Sequence, residues 1–497
     1  MNSSMLQAEC IKSLRGIAWI RHLVLVVAAL TVGFIPALGQ DAPAKNSFVD
    51  ASHRISEPQQ SSDLSNSSQP ADAAQPASSE ASPSASSDPL LNFWNSPTLT
   101  GDWGGVRSKL AEKRGITIGG FWDNGYFADP SAGNTRANIG ESNWSRIRGI
   151  LDIDMNKLVH IKGLSLHITS TYNVGSDVGA NMGSLVNAVG NNTGYHQLRL
   201  DSWWARQDLF NSKLSLYVGQ ISGVDFFGYL PQDFAHFETL GPYYAPLALY
   251  NSFESFDPLT TPAAMIEINP TKHVRIRSMI QSITEGNPAD PAISGFYNWT
   301  DNPSGTSEAI RDGGVWNNEI AYLYGSGEAH FGASYSGARA YTEWTGSAFS
   351  GTLVTTPGFQ SNSNGGDENF YWILKQYVYR PDGHSGRGIA LGATYVYGPA
   401  DKGFLPYNRQ LVVTAEANGL IPKRPKDSIN FSFNYLDIRG PLQIPIFKSE
   451  KVYELNYVLQ VNRWLMWMPN LQIHQDIGAN PLNGTGVIIG FRSMITF

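Results

Sequence analysis

The chain contains almost no cysteine and few charged residues. Cys10 is the only cysteine among 497 residues, so the sequence excludes an internal disulfide and a metal site built on several thiolates. Charged residues make up 15% of the chain, and its net charge of −7 offers no basic surface for nucleic acid. The sequence also lacks the His-Glu-x-x-His, Gly-x-Ser-x-Gly and phosphate-loop motifs. We therefore predict no enzymatic activity, no metal, no cofactor and no nucleic-acid partner.

Long apolar runs are missing as well. An early run, 23–38, contains Pro36 and falls short of the roughly 20 residues that span a bilayer as a helix. Because basic residues precede this run and small residues end it, residues 1–39 are predicted to form a cleaved signal peptide, with an N-terminal membrane anchor as the alternative. Residues 40–92 are rich in Ser, Pro and Ala and predict a disordered linker. The folded domain is then 93–497.

What the sequence has in abundance is alternation of apolar and polar residues. Segment 164–173 alternates Leu and Ile with Ser, His, Thr and Asn, and the last twelve residues place Val487, Ile489 and Phe491 on one face. This period of two predicts β-strands. Glycine, with 49 residues, and aromatic residues, at 12%, are as frequent as a sheet-rich protein with many turns requires.

The connections between these segments alternate between tight turns, such as 381–386, and long polar stretches, such as 287–312. Short turns at one end and long loops at the other are typical of outer-membrane barrels, and the folded part is long enough for roughly 16 strands. We predict an all-β fold, a transmembrane antiparallel β-barrel of about 16 strands, with a short helix at 102–113 and strands from 116. A secreted all-β hydrolase or sugar-binding protein is the alternative, since a soluble sandwich would bury the same alternating faces.

Four stretches of the folded part resemble the carbohydrate-selective porins of the OprB family. They are 99–116, the strand pair 371–392, the turn Asn418-Gly-Leu-Ile-Pro-Lys-Arg-Pro-Lys-Asp427, and the closing strands from Glu454 onwards. The resemblance covers about residues 95–497 and is looser in 221–262 and 286–370, which include loops expected to shape a pore.

The resemblance implies a bacterial outer-membrane porin that admits glucose and related sugars by passive diffusion, with a general diffusion porin as the alternative. The partners it implies are monosaccharides, outer-membrane lipid and the barrel-assembly machinery. The terminal Phe497, in phase with the apolar face of the last strand, is predicted to be part of the signal for assembly. A monomer and a homotrimer are both left open by the sequence.

A sugar channel needs polar side chains that replace water around the hydroxyl groups and then let the sugar leave. The polar faces of the predicted strands supply such groups, and we predict a constriction drawn from Arg146, Arg148, Asp152, Asp154, His167, Arg199, Asp201, Trp203, Arg275 and Arg277. Asp152 and Asp154 also have a spacing, about 6.5–7 Å along a strand, that would suit an inverting glycosidase. The neighbouring arginines would keep both carboxyl groups ionised, whereas a general acid must be protonated.

Overall fold

In a computed structural model the chain forms a closed antiparallel β-barrel of 16 strands, which confirms the predicted fold class. The structure describes residues 93–130, 140–186, 188, 198–230, 236–245, 260–282, 314–336, 367–383, 386–398, 409–437 and 448–497. The predicted signal peptide and linker, 1–92, lie outside the described residues. Within the described ranges, every helix is too short or too polar to cross a membrane.

Each strand pairs with its neighbours in sequence. The strands are β1 (Ile116–Ala128), β2 (Glu141–Asp154), β3 (Leu164–Gly175), β4 (Leu198–Leu209), β5 (Leu214–Ile221), β6 (Thr261–Thr271), β7 (Val274–Ser282), β8 (Gly314–Tyr324), β9 (Gly327–Ser336), β10 (Asp367–Tyr379), β11 (Gly388–Tyr397), β12 (Arg409–Asn418), β13 (Ser428–Asp437), β14 (Ser449–Gln460), β15 (Leu465–Gln475) and β16 (Thr485–Thr496). The helices described are α1 (Val106–Arg114), α2 (Met155–Val159) and α3 (Val178–Met182).

The barrel closes where the last strand meets the first. β16 pairs with β1 from Phe121 opposite Thr496 to Ala128 opposite Ile489, and with β15 on its other side. The backbone N–H of Phe497 extends the seam by donating to the carbonyl of Gly120 at 3.0 Å. The final segment is therefore the strand that its alternation predicted, and it closes the sheet.

The two faces of the wall differ in polarity. Apolar side chains such as Ile280, with 65% of its surface exposed, and Phe431 point outward, while Arg148 and Asn430 point inward and are buried. A soluble protein buries its apolar face, so an exposed apolar face around a polar interior is the arrangement of a barrel that stands in lipid.

Helix α1 lies at the end of the barrel that carries the short turns. It ends at Gly115, whose φ of 68° is the left-handed conformation that glycine adopts without strain. The side chain of Asp102 accepts a hydrogen bond from the N–H of Ser108 in the first turn of the helix at 2.8 Å. The helix begins at Val106 rather than at the predicted 102. Lys157, in the turn after β2, donates to the carbonyl of Ala111 at 3.3 Å, which attaches the helix to this rim.

Candidate functional site

The lumen is narrowed by the connection between β5 and β6. We call its described parts, 222–230 and 236–245, the inner loop. Its backbone is held by side chains of the barrel wall: Gly228 N donates to Glu319 on β8 at 3.1 Å, and Leu240 O accepts from Asn434 on β13 at 3.0 Å. The loop therefore lies inside the barrel and contacts the strands from β8 to β14.

Glu454 on β14 anchors the inner loop most fully. Its carboxylate accepts hydrogen bonds from the backbone N–H groups of Glu238 at 2.8 Å and Thr239 at 3.0 Å. It also accepts from Asn456 at 2.9 Å and Asn470 at 2.6 Å. A buried carboxylate is stable only when its acceptor positions are filled, and here the loop backbone fills two of them.

Glu416 on β12 repeats this pattern at another point of the loop. It accepts from the hydroxyl of Tyr243 at 2.5 Å and pairs with Lys375 on β10 at 2.8 Å. The ring of His236 contacts its second oxygen. His236 and Glu238 therefore both attach this part of the inner loop to the wall.

A second segment enters the lumen from the connection between β3 and β4. It comprises 176–186 and 188, includes α3, and is called the inner arm here. Glu450 on β14 accepts from the N–H of Leu185 at 2.8 Å and from the hydroxyl of Ser184 at 2.5 Å. Gln472 on β15 donates to the carbonyl of Ala188 at 2.9 Å. Carboxylates and amides of the wall therefore hold both inward segments.

Arg492 joins the closing seam to the inner loop. Its guanidinium binds Asp123 on β1 through two nitrogens, at 2.8 and 2.6 Å, and Glu238 through a third at 3.2 Å. All three side chains are buried. Burial raises the pKa of Glu238 well above its ordinary value, and the positive charge of Arg492 opposes that rise. The planar guanidinium of arginine has several N–H donors, so it can bind one carboxylate through two nitrogens and a second through another.

The opposite side of the lumen, β2 to β7, carries arginines. Arg148 lies 3.4 Å from Asp201 on β4 and 3.8 Å from Asp225, which belongs to the inner loop. Arg277 pairs with Glu267 at 2.6 Å and donates to the carbonyl of Phe226 at 2.8 Å. Burial raises the pKa of Asp225, and Arg148 opposes this effect.

Aromatic rings lie among these arginines. His167 stacks on Trp204 with ring centroids 4.6 Å apart. Trp204, Tyr217 and Phe226 meet edge to face at centroid distances of 5.4 to 6.0 Å. The guanidinium of Arg206 lies over Tyr217 at 5.5 Å, a cation–π geometry. This wall therefore offers flat apolar faces beside charged donors and acceptors. The apolar face of a pyranose ring can stack on the first, and its hydroxyl groups can form hydrogen bonds with the second.

Most of the predicted constriction residues lie on the inner face. These are Arg146, Arg148, Asp152, His167, Asp201, Arg275 and Arg277. Asp152 does not pair with Asp154 in acid–base fashion, because its carboxylate contacts the His167 ring at 2.6 Å. Arg199 belongs to β4, but its side chain lies outside the described residues.

Trp203 was wrongly placed in the lumen by its phase with Asp201. The pairing of β3 with β4 shifts between Thr169 opposite Ser202 and Ser170 opposite Leu200, so Asp201 is an extra residue in the strand. Such a bulge turns the residues after it to the other face. Trp203 therefore points outward with 41% of its surface exposed, and Trp204 points inward.

Asp154 was also wrongly assigned to the constriction. It is the last residue of β2, and its side chain accepts hydrogen bonds from the N–H groups of Asn156 at 2.9 Å and Lys157 at 3.4 Å. It caps α2 at the rim of the barrel, which is the ordinary role of an aspartate before a helix.

Sequence reasoning missed Trp204, Tyr217, Arg206 and Phe226. Tyr217 shares the polar phase of Ser215, which the alternation of 214–218 could have supplied. Arg206 and Trp204 point inward only because they follow the bulge at Asp201. The position of Phe226 follows only from the path of the inner loop, for which the sequence gives no periodic signal.

Comparison with known proteins agrees with this geometry. The family model described as "Carbohydrate-selective porin, OprB family" matches residues 145–497. Porin B of Pseudomonas aeruginosa is 23% identical over 440 residues, which cover 81% of this chain and 92% of that protein. The structure described as the high-pH structure of Pseudomonas putida OprB matches with a TM-score of 0.69 and 18% identity, covering 82% of this chain and all of that one. At this identity the structural match supports the fold alone.

The family match spans most of the chain, including every strand from β3 to β16. The closed barrel, its outward apolar face and its narrowed polar lumen are the features of a channel rather than an enzyme. The chain belongs to the carbohydrate-selective porin, OprB family, and is a sugar porin of the bacterial outer membrane.

Proposed function

We propose that glucose and related monosaccharides cross the barrel between the inner loop and the wall formed by β2 to β7. The supporting observation is a difference in solvent access. Side chains of Asp152, His167, Arg206, Asp208 and Asp225 keep between 10% and 27% of their surface exposed. The carboxylates that anchor the inward segments on the other side keep at most 1%. Because a sugar in a water-filled pore can touch only side chains that water also reaches, the path follows the side with the exposed groups.

The chemistry of this path suits weak and reversible binding. Asp152, Asp208 and Asp225 accept hydrogen bonds from hydroxyl groups, and Arg206 donates to them. The stacked pair of His167 and Trp204 offers an apolar surface for the face of the ring. Because the charged groups are already paired within the protein, a sugar replaces only part of their interactions and leaves easily.

The remaining inner-face candidates form part of the same proposal as groups that shape the path from behind. They are Arg146, Arg148, Asp201, Arg275 and Arg277. Arg199 is proposed for the same role from its sequence position alone. The placement of Arg148 next to both Asp201 and Asp225 gives it the task of holding the inner loop at the wall.

The test measures sugar and ion flux in the same bilayer. His167→Ala removes one half of the stack, and we expect glucose flux to fall about two- to tenfold while ion conductance changes little. Lys448→Ala is the matched control, because Lys448 is exposed just before β14, at the rim that carries the long connections. Equal losses of glucose and ion flux, or none, would contradict this path. A wild-type barrel that passes glucose no faster than a neutral polyol of equal size would instead indicate a general diffusion porin.

The assembly of the porin is a further part of the proposal. Phe497 would serve as the signal that the barrel-assembly machinery reads, after removal of signal peptide 1–39, and residues 40–92 would act as a linker before the barrel domain 93–497. Phe497→Ser should reduce the amount of protein in the outer membrane more than the conductance of each assembled channel. Normal outer-membrane levels of this variant would remove the role. A homotrimer as the working state is tested by crosslinking in native membranes.

A further inference from the structure

The short turns and the long connections of the barrel differ in the charge of their sequences. The seven short turns between paired strands contain ten Lys or Arg residues and two acidic residues. The long connections at the other end contain fifteen acidic and six basic residues. Helix α1, which lies at the short-turn rim, adds four basic residues against one acidic residue. In outer-membrane barrels the short turns face the periplasm.

Six of these basic residues form one patch on three neighbouring turns. We call Arg380, Arg387, Lys423, Arg424, Lys426 and Arg463 the turn patch. The turns are joined side by side, because Arg387 donates to the carbonyl of Gly419 at 2.9 Å and Arg424 to that of Gln460 at 3.1 Å. Arg387, Lys423 and Arg463 are exposed. Two acidic residues, Asp382 and Asp427, share these turns, and Asp427 is already paired with Arg424 at 2.7 Å.

The turn patch begins where the apolar outer face ends. Val378 and Tyr379, the last residues of β10, are exposed on the outside immediately before Arg380. Around the same rim, the exposed ring of Phe210 lies in the turn that contains Lys213. Aromatic residues with basic residues next to them are typical of the boundary between lipid tails and headgroups. The neighbourhood of the patch is therefore a membrane surface rather than open solvent.

We propose that the turn patch binds the phosphate groups of anionic phospholipids in the periplasmic leaflet of the outer membrane. The exposed Lys423 and the half-buried Lys426 meet the headgroup phosphates as cations, while the apolar band above them contacts the acyl chains. The charge asymmetry then gives the barrel a preferred lipid neighbourhood and fixes its depth in the bilayer.

The experiment compares two lipids that differ in headgroup charge. The full-length barrel, purified in a neutral detergent, is titrated with brominated phosphatidylglycerol and with brominated phosphatidylcholine, and binding is followed by quenching of tryptophan fluorescence. We expect wild type to prefer phosphatidylglycerol, and Lys423→Gln/Lys426→Gln to lower that preference by about fivefold for each lysine removed. Higher salt should weaken the preference in wild type.

The matched control is Arg409→Gln, since Arg409 is exposed at the start of β12 on the opposite rim. Heat-modifiable migration on a gel shows that each variant has kept its barrel. Inorganic phosphate at the same concentration should compete poorly, because it lacks the acyl chains. The proposal is overturned if wild type shows no preference for phosphatidylglycerol, if the double variant keeps the full preference, or if Arg409→Gln loses as much. Stronger binding to isolated cell-wall polymer than to phosphatidylglycerol vesicles would overturn it as well.

Discussion

The two sides of the lumen use charge in different ways. From β8 to β16, buried carboxylates such as Glu416, Glu450 and Glu454 accept hydrogen bonds from the inner loop and the inner arm. From β2 to β7, arginines and aromatic rings face the inner loop, and several acidic groups there keep contact with water. One side positions the segments that narrow the pore, and the other presents groups to whatever passes.

This difference follows from the cost of burying charge. A carboxylate out of contact with water is stable only with a full set of donors, and backbone N–H groups of a loop supply donors at fixed positions. A partly exposed carboxylate has no such requirement, because water satisfies it. In this barrel the buried charged residues therefore hold the inward segments, and the partly exposed ones remain available to a passing solute. Solvent access decides between the two roles, and it cannot be read from the sequence.

Arg492→Met should break the anchoring side most severely. Removing this guanidinium leaves the carboxylates of Asp123 and Glu238 buried without their cation, which typically costs about 3–5 kcal/mol. We expect the temperature at which the barrel form is lost on a gel to fall clearly. The control is Arg409→Met, where the arginine is exposed. Equal stability of the two variants would show that Arg492 is not a structural node.

Glu454→Gln should loosen the inner loop without opening the barrel. A glutamine has one acceptor oxygen in place of two, so either the N–H of Glu238 or that of Thr239 loses its partner, at about 1–3 kcal/mol. Single-channel conductance should rise and sugar preference should fall, because the loop no longer narrows the lumen. Glu368→Gln, at an exposed site on β10, serves as the control. Unchanged conductance would mean that the remaining contacts hold the loop alone.

Trp204→Leu sharpens the comparison on the other side of the lumen. The indole contacts His167, Tyr217 and Phe226, and the loss of such aromatic pairs is worth about 0.5–1.5 kcal/mol each. Glucose flux should therefore fall more than ion flux, while the barrel keeps its form. A loss of barrel stability with unchanged sugar selectivity would assign Trp204 to packing alone.

Trp203→Leu should have the smallest effect and tests the strand bulge directly. Trp203 points outward, and a leucine is equally suited to lipid, so stability should change by no more than about 0.5 kcal/mol and sugar flux should stay the same. A sugar defect as large as that of Trp204→Leu would place the bulge elsewhere in β4.

Much of the fold could be predicted from local pattern, and the errors have definite causes. The apolar faces of β3 and β16 follow from a period of two, and the closing pair of β1 and β16 follows from the need to leave no free edge. Trp203 was misplaced because one extra residue, Asp201, reverses the phase, and alternation cannot reveal a bulge. Asp154 was misplaced because the strand ends there and a helix begins.

The sequence by itself determined the barrel: alternating strands, short turns against long connections, and charged residues concentrated on one face. These features are local, and each strand repeats them. Only the tertiary structure decided which charged residues anchor and which remain open to the lumen, since that depends on where the inner loop and inner arm lie. Their course is set by contacts such as Glu454 with Thr239 and Ser184 with Glu450, between residues more than 200 positions apart in the chain. No periodic signal records such contacts.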